Sequence, residues 1–361
     1  EIIIFNLNLK TKKILEISHS VAQMGGIEKQ LNQIKNIFKR QYDLVFWVGN
    51  KHLADRLSGE TIDWKLNING GWAFLHYLLF QKREQKYFAK RIEQLGDNLK
   101  TVHIHSLTEQ LLLTPIIKKI GVKVVWTIHG ELILGKNIWL KKIFVKIARQ
   151  ADQIICVTQN TQEQVKKYYS EANTVVIYNG VEVSKRISEK KFNSPLTVGF
   201  VGRLGTEKNF SYFVQLVNGL WSKNIEIKIQ IAGNKIDNRY DRFLNNRQVK
   251  FCGYLEDIDQ FYRQIDWLIF PSPSEGCPYA LLEAMTSGVI PIVSPIKPLL
   301  EIIQDNYTGI VLSMVLKNDI IKLVELIKNQ PKMLRFSVNA KKTTANYSSV
   351  IFSQNLAKIY G

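Results

Sequence analysis

Residues 272–293 read SPSEGCPYALLEAMTSGVIPIV and follow the short apolar run WLIF at residues 267–270, with Pro271 between them. Pro278 suits the first turn of a helix, where its missing N–H is not needed. Residues 280–285 are good helix formers, and Gly288 suits the end of that helix. The apolar run VIPIV then begins a new strand. This stretch therefore predicts a strand, a helix and a second, parallel strand, which together form one βαβ unit.

The same alternation extends along the whole chain. Both KILEIS at residues 13–18 and LTVGFV at residues 196–201 are strand-like runs, and each is followed by glycine and then by a helical pattern. Further strand-like runs lie at residues 44–48, 102–105, 123–128, 153–157, 174–178, 226–232, 249–252, 267–270, 290–293 and 309–312. Most of these runs are wholly apolar, which is typical of buried parallel strands. The sequence predicts an α/β fold of two Rossmann-like, doubly wound domains that face a cleft.

A domain boundary is predicted in residues 183–195, VSKRISEKKFNSP, because this stretch is polar, charged and without an apolar period. We expect a first domain over residues 1–185 and a second over residues 186–345. Residues 346–361 then form a separate C-terminal helix.

Composition and charge limit the classes of protein. The 361 residues are 45% hydrophobic and 22% charged, which allows a sizeable core without disulfides. Cys156, Cys252 and Cys277 show no CxxC spacing, so we expect no disulfide framework or zinc site and a cytoplasmic setting. No apolar run reaches the roughly 18–20 residues that span a bilayer. The net charge of +18 favours nucleic acid, acidic lipid or phosphorylated substrates as partners.

Two carboxylates flank the start of the helix predicted at residue 278. Glu275 lies just before this helix and Glu283 lies in its second turn. Carboxylates accept paired hydrogen bonds from neighbouring hydroxyls, so one can hold a sugar while the other holds a ribose. The helix N-terminus suits a phosphate. Alternatively, both glutamates are ordinary charges at a helix start.

The pattern E-x7-E in SEGCPYALLEAMTSGVIPIVS resembles the signature of GT-B fold glycosyltransferases of the family 4 type, which are retaining enzymes. The resemblance implies that Glu283 holds the donor ribose, and that Glu275 holds sugar hydroxyls near the reacting carbon as a catalytic residue. It also implies that the backbone N–H groups of Gly276, Cys277 and Tyr279 bind phosphate or sugar oxygens.

The stretch VGRLGTEKN at residues 201–209 is similar to the arginine–lysine pair of this family, and it includes Gly202 in the donor loop. Arg203 and Lys208 would be catalytic, because fixed cations stabilise the charge that builds on a diphosphate leaving group. The family has glycine where Asn209 stands, and asparagine tolerates left-handed backbone angles. Solvated surface cations are the alternative.

Two further loops resemble donor-binding loops of the family. Gly25 and Gly26, in QMGGIE, resemble its N-terminal glycine loop, where backbone approaches a phosphate or an acceptor closely. Gly253 and Tyr254 follow the strand-like run VKFC, where the family places the nucleobase. A plain tight turn is the alternative for the double glycine.

Three histidines follow or end apolar strands. His129, in VVWTIHGE, resembles the catalytic histidine that the family places near the donor sugar. His103 and His105 alternate along a strand end, so we expect only one of them to face the cleft, and His105 is preferred as the acceptor-side residue. A structural role remains the alternative for each.

The pattern D-x-D at Asp257 and Asp259 binds a metal together with a nucleotide sugar in other proteins. Here it lies in YLEDIDQFYRQID, which is typical of an amphipathic helix start, where acids cap the helix. We therefore predict no metal and no cofactor.

Residues 136–149 are basic and contain no acid. The cations are Lys136, Lys141, Lys142, Lys146 and Arg149, interleaved with Trp139 and aliphatic residues; a second basic cluster is Lys82, Arg83, Lys86, Lys90 and Arg91. A basic amphipathic helix with an aromatic residue can lie on an anionic membrane. This predicts a peripheral location on the inner face of the cell membrane. A solvated helix with its apolar face in the core is the alternative.

The resemblance covers nearly the whole chain and implies that residues 350–360 cross back to the first domain. It implies sugar transfer from a nucleoside-diphosphate sugar, with a UDP-sugar favoured over a GDP-sugar, to a hydroxyl of a glycan or lipid-linked acceptor. The expected setting is synthesis of bacterial cell-surface polysaccharide or lipopolysaccharide. A nucleotide-sugar epimerase on the same fold is one alternative. Nucleic-acid binding is another, but no recognised nucleic-acid module is present and nucleic acid is not expected as a partner.

Overall fold

A computed structural model describes residues 12–19, 25–68, 71–132, 134–135, 137–183, 190–192 and 194–361. The chain forms two compact units. Unit 1 comprises the described residues up to Val157, together with Thr161–Ile177 and Asn355–Gly361, and unit 2 comprises Thr158–Asn160 and Tyr178–Gln354.

The boundary between the units lies at residues 177 and 178, whereas the sequence places it at residues 185 and 186. The turn after residue 177 packs within unit 2. The Asn179 side chain donates a hydrogen bond to the carbonyl oxygen of Cys277 at 2.6 Å, and the Val181 N–H donates to that of Tyr347 at 2.8 Å. These two bonds explain why the turn belongs to the second unit.

Unit 1 is a parallel sheet with helices. Its strands are β1 (Lys13–Ser18), β2 (Asp43–Val48), β3 (Glu60–Thr61), β4 (Leu99–Ile104), β5 (Lys123–Ile128), β6 (Gln153–Cys156) and β7 (Thr174–Val176). Its helices are α1 (Gly26–Phe38), α2 (Lys51–Leu57), α3 (Gly71–Glu93), α4 (Leu107–Lys119), α5 (Ile138–Ala148) and α6 (Gln159–Tyr168). The strand order is β3-β2-β1-β4-β5-β6-β7, so β1 is central.

Unit 2 repeats this arrangement. Its strands are β8 (Leu196–Val201), β9 (Ile227–Ala232), β10 (Val249–Gly253), β11 (Trp267–Phe270), β12 (Ile290–Val293) and β13 (Ile310–Val311). Its helices are α7 (Phe210–Ser222), α8 (Asp241–Leu244), α9 (Asp259–Gln264), α10 (Tyr279–Thr286), α11 (Lys297–Leu300), α12 (Leu316–Ile327) and α13 (Gln330–Thr343). The last helix, α14 (Ser349–Tyr360), begins in unit 2, and its residues from Asn355 onwards belong to unit 1. Short 3-10 helices lie at Thr206–Lys208 and Thr344–Tyr347. The strand order is β10-β9-β8-β11-β12-β13.

Apolar strands account for this architecture. All described strand pairings are parallel, and β5, β11 and β12 are buried along nearly their whole length. A parallel strand of this kind is covered on both faces, which requires apolar side chains on both faces. Full burial of one large aliphatic side chain contributes about 1.5–3 kcal/mol. The predicted α/β class and the two Rossmann-like domains are therefore confirmed.

The predicted strand positions are close to those observed. Five strands, β1, β5, β8, β11 and β12, have the predicted bounds, and the others differ by up to three residues at their ends. The two-residue strand β3 was not predicted, because the sequence ET is too short and too polar to show a strand pattern. It pairs with the end of β2.

The carboxyl ends of three neighbouring strands in unit 2 are joined by backbone hydrogen bonds. The Gly202 N–H donates to the carbonyl oxygen of Ala232 at 2.9 Å, and the Gly233 N–H donates to that of Gly253 at 2.7 Å. Gly233 has φ +143°, and an added Cβ would lie 1.9 Å from the Gly202 carbonyl oxygen. Only glycine fits at this position.

We therefore predict that Gly233→Ala lowers the stability of unit 2 by about 3 kcal/mol or more, because backbone strain and a backbone clash act together. The loss is measured as a fall in Tm by calorimetry. Gly253→Ala is the control: it has φ +64° but open space around the added Cβ, so we expect only the roughly 1–2 kcal/mol cost of left-handed backbone. Equal losses in the two variants would contradict the importance of the close approach.

Candidate active site

The order of strands reverses once in each sheet. This switch point lies between β1 and β4 in unit 1 and between β8 and β11 in unit 2. Ligands of open parallel sheets bind in the crevice beyond the carboxyl ends of the strands at such a point. Each unit carries a cluster of polar side chains there.

In unit 2 the switch point holds an ion pair. Lys208 ends the 3-10 helix after β8, and Glu275 lies in the loop after β11. The Lys208 ammonium lies 2.5 Å from Glu275 Oε1 and 5.2 Å from the centre of the Phe270 ring. Only 25% of the Lys208 side chain and 10% of the Glu275 side chain are exposed, so solvent screens this pair less than a surface pair. The structure thus brings two of the predicted donor-binding residues together.

The turn beside Lys208 has the conformation that the sequence predicts. Asn209 adopts a left-handed backbone, with φ 50° and ψ 44°, and α7 begins at the next residue. Asparagine tolerates this left-handed conformation, so the turn forms without a glycine at position 209. Gly202 lies beside the aliphatic stem of Lys208. A Cβ added at position 202 would lie 3.1 Å from Lys208 Cγ.

The sequence predicts that Arg203 and Lys208 are both fixed cations, but the structure leaves Arg203 largely exposed. Its side chain is 67% exposed, and its Nε lies 3.0 Å from Glu207 Oε1. An exposed pair of this kind contributes roughly 0.2–1 kcal/mol, too little to hold the guanidinium rigidly. Arg203 therefore lies near the start of the same loop without being fixed beside Lys208.

The N-terminus of α10 begins one residue later than the sequence suggests. Pro278 precedes the first turn in an extended conformation, with φ −74° and ψ 119°, and the helix starts at Tyr279. The predicted end is confirmed, since Gly288 adopts φ +74°. Both Gly276 and Cys277 are buried in the loop that enters the helix.

Cys277 and Tyr279, at the entry to α10, have buried and protonated side chains. Burial raises the pKa of the Cys277 thiol to about 12, so the thiol stays protonated at neutral pH and is a poor nucleophile. The Tyr279 side chain is also buried, and burial raises the pKa of its hydroxyl far above the usual range. Binding of a ligand by the backbone N–H groups of Cys277 and Tyr279 stays a prediction from the resemblance.

Glu283 lies half-buried in the second turn of α10. The hydroxyl of the buried Tyr262 lies 3.5 Å from Glu283 Oε2, at the outer limit of a hydrogen bond. Burial and the Glu283 charge raise the pKa of Tyr262 well above its usual value, so this tyrosine stays a hydrogen-bond donor. Along the same sheet edge, Gly253 ends β10 with φ +64° and Tyr254 is 41% exposed.

Asn179 has a role at this site that sequence reasoning missed. In the turn YNGV at residues 178–181, the buried Asn179 amide donates a 2.6 Å hydrogen bond to the carbonyl oxygen of Cys277 and so orients the loop before α10. Gly233 was also missed. An isolated glycine directly after an apolar strand, as in IQIAG, was the available signal.

In unit 1 the switch point holds a buried cluster of polar groups. Glu16 Oε2 lies 2.8 Å from His105 Nε2 and 3.1 Å from His103 Nδ1, and Glu16 Oε1 accepts a 2.5 Å hydrogen bond from the Tyr360 hydroxyl. His105 Nδ1 lies 2.8 Å from His129 Nε2. The cluster thus links the central strand, two neighbouring strands and the last helix.

Two expectations for His103 and His105 are wrong. The rings lie on the same side of the strand, with centroids 4.1 Å apart, because residues two apart share a strand face. In addition, the His105 side chain is fully buried, so it cannot contact an acceptor directly. His129, which is only partly buried, lies between His105 and the surface of unit 1.

The pKa values in this cluster move in opposite directions. Burial opposes the ionisation of Glu16, but the charges of His103 and His105 and their hydrogen bonds outweigh it and hold the Glu16 pKa well below its usual range. Burial, together with the charge of His103, lowers the pKa of His105 to about 4. Burial, together with the charge of His105, holds the pKa of His129 well below its ordinary value. These directions favour, at neutral pH, an ionised Glu16 beside a neutral His105, which in turn lies beside a neutral His129.

A second histidine–carboxylate pair was missed. His19 follows β1, and its Nδ1 lies 2.8 Å from Oε1 of the buried Glu109. That hydrogen bond raises the pKa of His19, while burial raises the pKa of Glu109. A polar residue directly after a central strand was the available signal.

The glycine loop enters α1. Gly25 caps this helix and Gly26 is its first residue, while residues 20–24 lie outside the described part of the chain. An added Cβ at Gly25 would lie 2.7 Å from Glu28 Oε2, so glycine leaves room for the buried Glu28 carboxyl. Burial raises the pKa of Glu28.

Two groups of side chains have the chemistry of metal ligands. Glu16, His103 and His105 place their ligand atoms within 4.8 Å of one another. These atoms are 2.8–3.1 Å apart across hydrogen bonds, and Tyr360 completes the cluster. The geometry is therefore explained by hydrogen bonding. In the D-x-D pattern, Asp257 Oδ1 accepts from the Asp259 N–H at 3.0 Å, and α9 begins at Asp259, as expected for a helix start.

Comparisons with known proteins agree with this architecture. The family model for Glycosyltransferase Family 4 matches residues 25–185, and that for Glycosyl transferases group 1 matches residues 182–343. The crystal structure of Anabaena HepE in complex with UDP superposes with a TM-score of 0.76 at 17% identity, over 96% of this chain and 99% of that one. This chain is a glycosyltransferase with the GT-B fold.

Curated relatives of this glycosyltransferase extend the likeness. An uncharacterised glycosyltransferase of Methanocaldococcus jannaschii is 25% identical over 364 residues, covering 96% of this chain and 97% of that protein. The UDP-Gal:alpha-D-GlcNAc-diphosphoundecaprenol alpha-1,3-galactosyltransferase of Escherichia coli is 28% identical, covering 61% of this chain and 63% of that protein.

The depressed pKa values of His105 and His129 predict a pH dependence of stability. Unfolded histidine titrates near 6.5, so below this pH the unfolded chain binds more protons than the native one. Stability is therefore expected to fall as the pH falls from about 6.5 towards 4, by up to roughly 1.4 kcal/mol per pH unit for each histidine.

Calorimetry at pH 7 and pH 5 measures this dependence as a fall in Tm. His129→Gln is expected to reduce the fall, whereas the control His52→Gln, which removes an exposed histidine, is expected to leave it unchanged. The same fall in wild type and His129→Gln would contradict a neutral His129.

Proposed function

We propose that this glycosyltransferase moves a sugar from a nucleoside-diphosphate sugar, with a UDP-sugar favoured, to a hydroxyl of a glycan or lipid-linked acceptor, with retention of configuration. One observation carries the proposal: the Lys208–Glu275 pair lies at the switch point of unit 2, in the unit that also contains the N-terminus of α10. A diphosphate requires cations and backbone N–H donors, and a sugar requires a carboxylate.

The proposed roles follow from these positions. Glu283 accepts from the two ribose hydroxyls, and the backbone N–H groups of Gly276, Cys277 and Tyr279 bind oxygens of the diphosphate or the sugar. Lys208 neutralises the leaving diphosphate. Because Lys208 has three N–H donors, it can hold Glu275 and a phosphate together. Arg203, which only an exposed pair holds, is free to turn towards the phosphates when the donor binds.

A front-face route is proposed for the chemistry. The bond from the anomeric carbon to the diphosphate oxygen breaks, the acceptor oxygen bonds to the same face of that carbon, and the departing phosphate takes the acceptor proton. The ion pair supports this route, since a carboxylate held by Lys208 is a weaker nucleophile than a free one. Glu275 then orients the sugar instead of attacking it.

The relatives support the choice of donor and acceptor. The Escherichia coli relative is named for a UDP-sugar donor and a lipid-diphosphate acceptor, and HepE was crystallised with UDP. We extend both features to this chain as a proposal, together with a role in cell-surface polysaccharide or lipopolysaccharide synthesis.

Glu283→Ala is predicted to weaken binding of UDP roughly 10- to 100-fold, because hydrogen bonds to a charged group contribute about 1.5–3 kcal/mol. Isothermal titration calorimetry with UDP measures the effect. Glu325→Ala is the matched control, since it removes an exposed helical glutamate of the same unit. Normal UDP affinity in Glu283→Ala would reject the proposed ribose contact.

The stereochemical part of the proposal needs product analysis. Nuclear magnetic resonance of the product formed with an added lipid-linked acceptor should show the anomeric configuration of the donor. A parallel incubation with donor alone separates transfer from epimerisation, because an epimerase converts the donor without an acceptor. Inverted product would reject the front-face route.

We also propose that unit 1 associates with anionic membrane through α5. The exposed residues Ile138 and Trp139 lie in its first turn, with 61% and 66% of their surface exposed. A groove on this surface is lined by several cations with apolar neighbours, namely Lys141, Lys142, Lys146, Arg149 and Lys167 beside Ile138, Val145 and Tyr168. Exposed apolar tips next to clustered cations suit a surface of acidic lipid.

The two basic clusters differ in how their cations are held. Lys136 lies outside the described residues, and within the second basic cluster Arg91 pairs with Glu60 and lies over the Trp47 ring, 4.9 Å from its centre. No helix in the described part of the chain is long and apolar enough to cross a bilayer.

The variant K141Q/K142Q/K146Q is predicted to weaken sedimentation with phosphatidylglycerol vesicles at low salt by roughly two orders of magnitude, because each cation near an anionic surface contributes about 1 kcal/mol. The control K317Q/K328Q/K342Q removes the same charge from exposed positions of unit 2. Equal losses in both variants would indicate attraction by net charge alone.

A further inference from the structure

Helix α3 carries an exposed apolar patch near its start. The patch consists of Trp72, Leu75 and Leu79, and 88% of the Trp72 surface is exposed. These three residues lie on one face of the helix, because side chains three, four and seven positions apart share a face. The opposite face buries Phe74 and Tyr77 in the core of unit 1. Contiguous apolar residues on the surface of a protein mark a site that binds a partner.

The same face of α3 becomes basic further along the helix. Its exposed cations are Lys82, Arg83, Lys86 and Lys90. In a helix that lies flat on a membrane, apolar and charged side chains occupy opposite faces. In α3 the two groups share a face, and their centres are separated along the helix axis by about 15 Å at 1.5 Å per residue. This order suits a helix that meets a membrane end-on, with the apolar patch innermost and the cations at the level of acidic headgroups.

Helix α5 has the same order of side chains. Ile138 and Trp139 are exposed in its first turn, and Lys142 and Lys146 are exposed further along. The Lys142 ammonium lies 5.3 Å from the centre of the Trp139 ring. Both helices therefore present exposed apolar side chains first and cations afterwards.

The topology of unit 1 places α3 and α5 on one face of the sheet. The connections from β3 to β4, from β4 to β5 and from β5 to β6 all run in the same direction across the sheet. Right-handed connections that run in one direction place their helices on the same face. The Gln85 side chain of α3 donates a 2.8 Å hydrogen bond to the carbonyl oxygen of Leu112 in α4, and α4 packs on α5.

The starts of α3 and α5 also lie at one edge of the sheet. A helix that joins two parallel strands begins at their carboxyl edge and returns the chain to their amino edge. Helix α3 has 23 residues and is about 35 Å long, whereas a six-residue strand such as β4 spans about 20 Å. The carbonyl oxygen of Leu95, just after α3, accepts from Lys13 Nζ at the start of β1. The extra length of α3 therefore extends past the carboxyl edge.

We propose that the exposed starts of α3 and α5 bind an anionic membrane together, so that the carboxyl edge of the unit 1 sheet faces the bilayer. This inference rests on the proposed membrane association of α5, and it adds a second contact and an orientation. Trp72 and Trp139 enter the interfacial layer that tryptophan favours, while the cations meet acidic headgroups. The switch point between β1 and β4 then opens towards the headgroups, where a lipid-linked acceptor carries its diphosphate and sugar.

Fluorescence quenching by phosphatidylglycerol vesicles that contain brominated lipid tests which side chains enter the bilayer. Of the seven tryptophans, Trp72 and Trp139 are the exposed ones. We expect Trp72→Phe and Trp139→Phe each to remove part of the quenching, and the double variant to remove nearly all of it. Unchanged quenching in Trp72→Phe that still binds the vesicles would overturn the role of α3 and leave that of α5 intact.

The orientation has its own test in the variant Trp72→Phe/Trp139→Phe. Adding Leu79→Trp to this variant places an indole in the patch, and adding Lys90→Trp instead places it about 17 Å further along the same face. End-on contact predicts quenching for Leu79→Trp and none for Lys90→Trp. Equal quenching of the two indoles would show that α3 lies flat, which would overturn the orientation.

Sedimentation with phosphatidylglycerol vesicles tests the contribution of the patch to binding. Trp72→Gln/Leu75→Gln/Leu79→Gln keeps good helix formers and is expected to weaken binding roughly a hundredfold, because less apolar area is buried in lipid. The control Ile321→Gln/Leu334→Gln/Val350→Gln removes three exposed apolar residues of unit 2 and should bind like wild type. Equal losses in both variants would overturn the inference.

Two further outcomes separate the possible occupants of the patch. Wild-type protein that binds no anionic vesicles would reject the proposed membrane association and this inference with it. Analytical ultracentrifugation without lipid detects self-association. A wild-type dimer that the α3 variant converts to a monomer would show that a second copy covers the patch, and would overturn the inference.

Discussion

All strands of a parallel sheet end at the same edge, and this constraint determines where the protein can place its chemistry. In each unit the loops that leave two adjacent central strands run to opposite faces of the sheet, which opens a crevice between them. In unit 2 the crevice between β8 and β11 receives Lys208 and Glu275. In unit 1 the crevice between β1 and β4 receives Glu16 and its histidines. The same backbone geometry therefore positions both clusters.

The two clusters use charge in opposite ways. The pair in unit 2 joins a cation to an anion and is partly exposed, so a charged ligand can contact Lys208 or Glu275. The cluster in unit 1 is buried, and a buried charge is tolerated only when it is fully hydrogen-bonded. Glu16 meets this requirement through Tyr360, His103 and His105. The first cluster is suited to binding, and the second to holding a charge inside unit 1.

Much of the fold and part of the site could be predicted. The apolar runs located the strands, since a strand buried on both faces needs continuous apolar sequence. The E-x7-E stretch correctly located α10, and Asn209 correctly indicated a left-handed turn. The burial of His105, the Asn179 contact with Cys277 and the pairing of His19 with Glu109 could not be predicted, because each joins residues at least 90 positions apart in sequence or depends on what covers a side chain.

The sequence by itself determined the fold class, the strand–helix order and the chemical type of residue after each strand, because these depend on local periodicity and on short motifs. Only the tertiary structure decided which of these residues meet. It paired Lys208 with Glu275, left Arg203 on the surface, and placed the final tyrosine against Glu16, 344 residues away. The physical reason is that distance, burial and hydrogen-bond direction depend on how strands and helices pack together. A local stretch of sequence does not specify that packing.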